Sequence, residues 1–124
     1  MMYTIRDISV KTGLSAATLR YYEKEGLLPF VKRDCHGSRL YNDENVEWIK
    51  YILVLRSTGM SISQIKKYVE LYHQGNHTIQ ERKQLILSHK KHVEDEIMER
   101  YSYFKKINYQ LTLYDVLETL LQKQ

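Results

Sequence analysis

The segment from Ser15 to Tyr41 constrains the fold more than any other, because it joins a short helix pattern to a stop signal and a basic turn. Ser15 can cap the helix, and Ala16 and Ala17 keep its first turn slim enough to enter a groove of a nucleic-acid duplex. Longer side chains with hydrogen-bonding groups come next: Thr18, Arg20, Tyr21 and Tyr22. This order is typical of a recognition helix that enters DNA with its N-terminal end.

Another short helix is predicted over residues 4–12, and Gly13 provides a tight turn between the two helices. This is the spacing of a helix-turn-helix. A small core should hold the pair together, since helices this short are not stable alone. The residues expected in that core are Ile5, Ile8, Leu14 and Leu19. The pattern is degenerate, and a helical hairpin without a DNA partner is the alternative.

A basic hairpin is predicted after Pro29, which is expected to end the second helix. Two short strands are expected at residues 31–33 and 38–41, around a turn at residues 36–37. The cations of this hairpin are Lys32, Arg33 and Arg39. Arg33 and Arg39 are expected near its two ends, where guanidinium groups can reach phosphates or the minor groove. The pattern predicts a wing beside the recognition helix, with a solvated basic hairpin as the alternative.

Two further helices are predicted after the wing. Asn42 can cap the first, and Ser61 begins a capping box for the second, which ends near Gly75. The aromatic residues Trp48 and Tyr51 are expected in this core or at its rim rather than in a ligand site.

From Thr78 onward the chain has neither glycine nor proline, which predicts one long helix. Apolar residues recur along it about every 3.5 residues, as in a coiled coil. The seam residues are Ile86, Val93, Ile97, Phe104, Ile107 and Leu111. A helix from Thr78 to Tyr109 has 32 residues and would span about 48 Å, more than the N-terminal domain can cover. The stripe predicts a homodimer through this helix, with a helix folded back on its own domain as the alternative.

Charge and composition narrow the function. The 124 residues carry a net charge of +4, and residues 1–41 hold seven Lys and Arg against four Asp and Glu. Most of the excess positive charge therefore lies in the segment predicted to contact DNA, as phosphate binding requires. No signal-peptide or membrane-spanning pattern is visible and there is one cysteine, so a cytoplasmic protein without a membrane partner is expected. No nucleophile–base pair, glycine-rich phosphate loop or carboxylate dyad is visible, so neither an enzyme nor a cofactor is predicted.

Three runs of sequence, TLRYYEKEGLLPFVKR, GSRLY and NDENVEWIKYILVLRSTGMSISQIKKYV, closely resemble the N-terminal domain of the MerR family of transcription regulators. The resemblance covers residues 3–72. It implies a mainly α fold: a winged helix-turn-helix DNA-binding domain over residues 1–72, then a long antiparallel coiled-coil dimerisation helix and short tail over 73–124. It places Thr18, Arg20 and Tyr21 on the recognition helix, Tyr22 at its backbone-facing end, and Arg33, Arg39 and Tyr41 on the wing.

The function that the resemblance implies is that of a homodimer on a pseudo-palindromic operator in double-stranded promoter DNA, where RNA polymerase also binds. Such a regulator bends and untwists the DNA, and an effector, such as a small molecule, changes the distortion. Because excision factors share the winged helix, an architectural or excisionase-like DNA-bending protein without an effector response is the alternative.

The nature of the effector stays open. Residues 107–114 resemble a branch of the family that responds to aldehydes and other thiol-reactive stress, but Val54 stands where that branch has its helix cysteine. The remaining candidate thiol is Cys35, beside His36 in a basic turn that favours the thiolate. An incidental exposed cysteine is the alternative, and thiolate metal sensing is not expected, because no cysteine follows Cys35.

Aromatic and histidine residues of the long helix supply further candidates. A hydrophobic effector pocket could use Tyr101, Tyr109 and Tyr114, although ordinary coiled-coil packing is the alternative. One helix face holds His89, His92 and Glu96. Exposed helix histidines are far commoner than metal sites, so no metal is predicted.

Overall fold

The computed structural model describes residues 1–29 and 31–123, so Phe30 and Gln124 lie outside the described residues. The elements follow in the order α1 (Ile5–Thr12), α2 (Ala16–Lys24), β1 (Lys32–Arg33), β2 (Arg39–Leu40), α3 (Asp43–Ser57), α4 (Ile62–Gln74), a 3-10 turn (Asn76–Thr78) and α5 (Ile79–Gln122). Contacts divide the chain into two units, one ending at Leu85 and one beginning at Ile86. The prediction of a mainly α fold with a winged helix-turn-helix and a long C-terminal helix is confirmed.

The first two helices begin and end at local signals. Thr4 and Asp7 cap α1 reciprocally: the Asp7 N–H donates to Thr4 Oγ1 at 3.1 Å and the Thr4 N–H to Asp7 Oδ2 at 3.0 Å. Gly13 ends α1 with φ of 76°, in the left-handed region that favours glycine. Ser15 caps α2 by accepting a hydrogen bond from the Thr18 N–H at 3.0 Å. The predicted helix-turn-helix is confirmed.

The core between α1 and α2 is small. Ile8 and Leu19 are fully buried, and Ile5 and Leu14 are half-buried. Full burial of such a side chain contributes about 1.5–3 kcal/mol, which holds together helices too short to be stable alone. The Ser9 hydroxyl donates to the Leu14 carbonyl at 2.5 Å and fixes the turn between them.

Helix α2 ends earlier than expected. Its last residue is Lys24, and Gly26 takes φ of 83°. The Leu27 N–H then donates to the Tyr22 carbonyl at 2.9 Å, a hydrogen bond typical of a glycine-terminated helix. The expectation that Pro29 ends the helix is therefore wrong, because the left-handed glycine has already turned the chain.

The predicted wing is present as an antiparallel hairpin in which Lys32 pairs with Leu40 and Arg33 with Arg39. Arg33 and Arg39 therefore lie opposite each other beside the turn, and the expectation that they occupy the two ends of the hairpin is wrong. The Asp34 carboxylate sets this register, because its Oδ1 accepts from the backbone N–H groups of the turn at 2.9 and 3.0 Å.

Helices α3 and α4 complete the core of the first unit. Both begin with the predicted caps, Asn42 and Ser61, each in a reciprocal capping box. The buried apolar side chains that they contribute include Val46, Ile49, Ile52, Leu55, Ile65 and Val69. Trp48 lies at the rim, where its Nε1–H donates to the Leu27 carbonyl at 2.8 Å.

Helix α5 has 44 residues and is about 66 Å long. It continues through residues 110–122, so the segment expected as a short tail is helical. Thr78, just before α5, is buried, with its hydroxyl 2.6 Å from the Leu71 carbonyl and 2.7 Å from the Gly75 carbonyl. Over the described residues, no helix combines the length and apolar character needed to cross a membrane.

Candidate DNA interface

Helix α2 has one buried face and one exposed face. Leu19 and Tyr22, three residues apart, lie in the core. Arg20 and Tyr21, on the other side of the helix, are exposed. Ala17 is exposed in the first turn, so the helix presents a narrow N-terminal end followed by long hydrogen-bonding side chains. This is the arrangement that the sequence predicts for a recognition helix.

The wing is attached to α2 through one acidic side chain. Glu23, in the last turn of α2, accepts hydrogen bonds from the Arg39 Nε–H and, at 3.4 Å, from the Arg33 guanidinium. Arg33 also donates to the Gly37 carbonyl at 2.9 Å, which closes the turn. Arg39 and Glu23 are only about one-fifth exposed, so their pair is less screened than a surface ion pair. The wing therefore lies beside the recognition helix in a defined position.

A second ion pair attaches α2 to α4. Lys66 Nζ lies 3.4 Å from Glu25 Oε2. Sequence reasoning missed both Glu23 and Glu25, because their partners are distant along the chain. The one available signal was the presence of two carboxylates in a segment otherwise rich in cations.

The ten residues predicted to contact DNA differ in how exposed they are. Those at the surface are Ser15, Ala17, Arg20, Tyr21, Lys32 and Arg33, and those partly buried are Thr18 and Arg39. Tyr22 and Tyr41 are buried in the first unit. The structure thus brings Arg20, Lys32 and Arg33 to the surface, keeps Arg39 partly buried beside Glu23 and places these two tyrosines in the core.

Tyr41 connects the wing to the N-terminus. Its backbone pairs with Tyr3 through hydrogen bonds of 2.7 and 2.9 Å. Burial raises the pKa of the Tyr41 phenol. Its buried hydroxyl has no hydrogen-bond partner among residues 1–29 and 31–123. Burial of the apolar ring stabilises the core. A buried hydroxyl without a partner lowers stability, so packing alone does not account for a tyrosine rather than a phenylalanine at this position.

Tyr41→Phe is expected to leave the free energy of unfolding unchanged or to raise it by up to about 1 kcal/mol, because it removes an unpaired buried hydroxyl. Affinity for DNA should not change. Urea unfolding and duplex-binding titrations measure the two effects, with Tyr109→Phe, on exposed α5, as the control. A loss of DNA affinity at unchanged stability would show instead that the Tyr41 hydroxyl reaches the duplex.

All six seam residues lie on α5, in the second unit of the chain. Ile86 and Val93 are half-buried. The other four, Ile97, Phe104, Ile107 and Leu111, are exposed. Beyond them, the exposed apolar side chains continue through residues that the seam did not include: Val116, Leu117, Leu120 and Leu121.

The candidate effector residues are accessible. Cys35 is an exposed free thiol in the wing turn. Tyr101, Tyr109 and Tyr114 are exposed on α5, and the Tyr101 ring stacks on Phe104 with centroids 6.4 Å apart. These features show which groups a reagent or ligand can reach.

The histidines of α5 are close in space. His92 Nε2 lies 3.0 Å from Glu96, and the His89 and His92 rings are 6.3 Å apart. Within the described residues, no three His, Cys, Asp or Glu side chains form a group that could hold a metal ion.

Comparisons of sequence agree with this geometry. Residues 3–71 match the profile of MerR HTH family regulatory proteins, and residues 46–99 match the profile described as MerR, DNA binding. An uncharacterised HTH-type transcriptional regulator of Haemophilus influenzae is 39% identical over 120 residues, covering 97% of this chain and 89% of that protein. The HTH-type transcriptional regulator AdhR of Bacillus subtilis is 42% identical over 82 residues, covering 66% of this chain and 59% of AdhR.

Solved structures are similar over nearly the whole chain. HiNmlR, described as a MerR family regulator lacking the sensor domain and bound to promoter DNA, has a TM-score of 0.87 at 39% identity, with 97% of this chain and 95% of that chain covered. A MerR family regulator from Bacillus thuringiensis has a TM-score of 0.81 at 33% identity, with 90% and 98% covered. The winged helix-turn-helix and the extent of these matches show that the chain belongs to the MerR family of DNA-binding transcriptional regulators.

Proposed function

We propose that the protein is a homodimer that binds a pseudo-palindromic operator in promoter DNA and controls transcription by bending and untwisting the duplex in response to an effector. RNA polymerase at the promoter and a small-molecule effector are the further partners. The observation that carries the proposal is the pairing of Glu23 with Arg33 and Arg39, which holds a basic wing beside the recognition helix.

Two kinds of DNA contact are proposed. Arg20 reads a base edge in the major groove, because it is exposed next to the slim first turn of α2. Lys32 and Arg33 contact phosphates beside that groove, since they are exposed on β1. A helix and a wing that both hold the duplex can maintain a bend, and contact energy offsets a deformation cost of about 1–6 kcal/mol.

The proposed dimer interface is the apolar stripe of α5. Ile97, Phe104, Ile107 and Leu111 are 56–62% exposed in the single chain. Burying the exposed part of these side chains in both protomers contributes roughly 7–14 kcal/mol. Association of two chains costs about 4–15 kcal/mol of lost motional freedom. The burial of these four residues therefore roughly offsets the cost of association but leaves little net binding energy. The apolar residues of the last helical turns add the surplus that a stable dimer requires.

This stripe favours a dimeric regulator with two DNA-binding domains over a monomeric architectural protein, because a monomer would leave the apolar stripe exposed to water.

The proposal is tested by selecting duplexes from a random library with the purified protein. Enrichment of an inverted repeat, with sedimentation showing two chains per duplex and a position-dependent gel shift showing a bend, is the expected result. Recovery of no common sequence would contradict it.

Glu23→Gln is expected to lower affinity for the selected operator roughly three- to tenfold while affinity for a random duplex stays equal or rises. The variant removes the charge that pairs with both wing arginines, so the wing loses its position although the local potential becomes more positive. Titrations of the two duplexes at one salt concentration measure the specificity ratio.

Glu25→Gln is the matched control, because it makes the same charge change beside α2 but removes the pair with Lys66 instead. If the two variants shift both duplexes equally, net charge rather than wing position explains the effect.

A further inference from the structure

A cluster of polar contacts joins the end of α4 to the beginning of α5. Thr78 lies at its centre and is only 2% exposed. Its hydroxyl oxygen is 2.6 Å from the Leu71 carbonyl and 2.7 Å from the Gly75 carbonyl, so one proton can be shared between the two. The Thr78 N–H also donates to the Gly75 carbonyl, at 3.1 Å. The turn between the two helices is thus closed by both main-chain and side-chain contacts.

Arg82 completes the cluster from the first turn of α5. Its Nε–H donates to the Thr78 hydroxyl at 3.1 Å, and its Nη2 donates to the Gly75 carbonyl at 3.4 Å. The guanidinium also lies 5.1 Å from the centroid of the Tyr72 ring, on α4. A cation is favourable in this place, because the C-terminal end of a helix carries partial negative charge. The four residues Tyr72, Gly75, Thr78 and Arg82 are called the α4–α5 clasp below.

The clasp restricts the angle between α4 and the start of α5, both of which belong to the first unit. Hydrogen bonds weaken steeply when they are bent, and Arg82 makes two that end on different oxygen atoms. A rotation of α5 about the turn would bend or lengthen at least one of them. Thr78 is too buried for water to take their place, and a buried polar group without a partner lowers stability. The start of α5 therefore has a defined direction.

This direction matters in a dimer that is held together through the stripe of α5. Ile97, near the middle of the six seam residues, is eighteen residues beyond Ile79, or about 27 Å along a helix. A change of about 10° at the turn would displace each DNA-binding domain by about 5 Å relative to the dimer interface. One base pair separates two half-sites by only about 3.4 Å more and rotates one against the other by about 34°. A small change of angle is thus enough to alter which half-site separation both domains can contact.

We propose that Thr78 and Arg82 are positioning residues for operator recognition, which hold α5 at one angle to α4 and thereby set the half-site separation that the dimer accepts. Neither residue contacts DNA in this role. The proposal rests on the proposed function, because only a dimer on an inverted repeat has two half-sites to separate. It adds a source of specificity that lies outside the recognition helix and the wing.

The first measurement uses duplexes that carry two copies of the selected half-site at spacings that differ by single base pairs. The full-length parent protein should prefer one spacing. Arg82→Ala should reduce the preference for that spacing over one a base pair longer at least about threefold, with unchanged affinity for a duplex that has a single half-site. Lys105→Ala is the matched control, because it also removes a cation near a tyrosine ring, 5.0 Å from the centroid of Tyr101 on α5. It should keep the parent's preference.

Variants of Thr78 separate the hydrogen bonds from packing. Thr78→Val keeps the branched shape of the side chain but removes the hydroxyl, so it should relax the spacing preference as Arg82→Ala does. Thr78→Ser keeps the hydroxyl and should retain the parent's preference. General destabilisation would instead lower the affinity for every duplex by the same factor and leave the preference unchanged. Arg82 is only half-buried, so its variant tests the clasp even if Thr78→Val fails to fold.

A second measurement follows the angle without DNA. Cys35 is the only cysteine of the chain and is exposed on the wing, so a nitroxide label attached to it marks each DNA-binding domain of the free dimer once. Pulsed electron paramagnetic resonance measures the distribution of distances between the two labels. This distribution should be broader in Arg82→Ala than in the parent protein or Lys105→Ala, because the turn no longer fixes one angle.

The proposal is overturned if Arg82→Ala and Thr78→Val retain either the parent's spacing preference or its distribution of label distances. It is also overturned if Thr78→Ser relaxes the preference as much as Thr78→Val does. A parent protein that enriches an inverted repeat but accepts all spacings equally contradicts only the role of the clasp. A parent protein that enriches no inverted repeat contradicts the proposed function, and the role of the clasp with it.

Discussion

The double variant Ile97→Glu, Phe104→Glu is expected to be a monomer whose affinity for the selected operator is about a hundredfold lower or weaker still, a loss of roughly 2.7 kcal/mol or more. A dimer through the α5 stripe would bury four added carboxylates, two from each protomer, against apolar partners. An unpaired charge in such a place costs several kcal/mol. Sedimentation equilibrium measures the assembly, and titration of full and half operators measures the loss of cooperativity.

Met98→Glu, Thr112→Glu is the matched control, because it adds the same charge to exposed positions of α5 outside the stripe. It should remain dimeric and bind the operator as the parent chain does. Circular dichroism should show an unchanged helix content in both variants, since glutamate is a good helix former. A dimer that persists in the first variant at the parent's dissociation constant would place the interface elsewhere.

The boundaries of the early elements could be predicted because their signals are local. Thr4, Ser15, Asn42 and Ser61 each cap a helix through a hydrogen bond to a backbone N–H three residues away. Such a contact depends on nothing beyond the same turn of the chain. Where a glycine and a proline both follow a helix, however, the pattern does not say which one ends it. In α2 the chain turns at Gly26, before it reaches Pro29.

The details of the candidate interface depend on contacts between distant segments. Glu23 and Arg39 are sixteen residues apart, and no periodicity indicates that they pair. The register that sets Arg33 opposite Arg39 follows from the Asp34 side chain in the turn, which the strand pattern alone does not reveal. Sequence reasoning could therefore predict a basic wing but not how the wing is attached.

The aromatic residues of α3 and α4 show a different limit of sequence reasoning. Trp48 and Tyr51 follow a helical spacing that fits either a core or a ligand site, and only the packing of α3 against α4 brings Tyr68 beside them. Tyr41 shows the converse, because a residue expected on the wing is fully buried, with its backbone paired to that of Tyr3. Exposure depends on tertiary contacts that a local pattern does not contain.

Arg20→Ala is expected to lower affinity for the selected operator by about 1–3 kcal/mol in each half-site, and thus by up to roughly 6 kcal/mol in a symmetric dimer with both half-sites engaged. Arg20 is exposed on the face of α2 opposite the buried Leu19 and Tyr22, so its truncation should leave the core intact. Repeating the selection with the variant should show relaxed preference at one base pair of each half-site.

Lys105→Ala removes the same charge from α5, at an exposed position outside the stripe, and separates base reading from general electrostatics. It should leave the selected sequence unchanged and alter affinity little, because its charge is not on the recognition helix or the wing. If Arg20→Ala instead weakens all duplexes by the same factor and only reduces the dependence of affinity on salt, then Arg20 contacts a phosphate. In that case base reading belongs to another exposed side chain of α2, of which Tyr21 is the next to test.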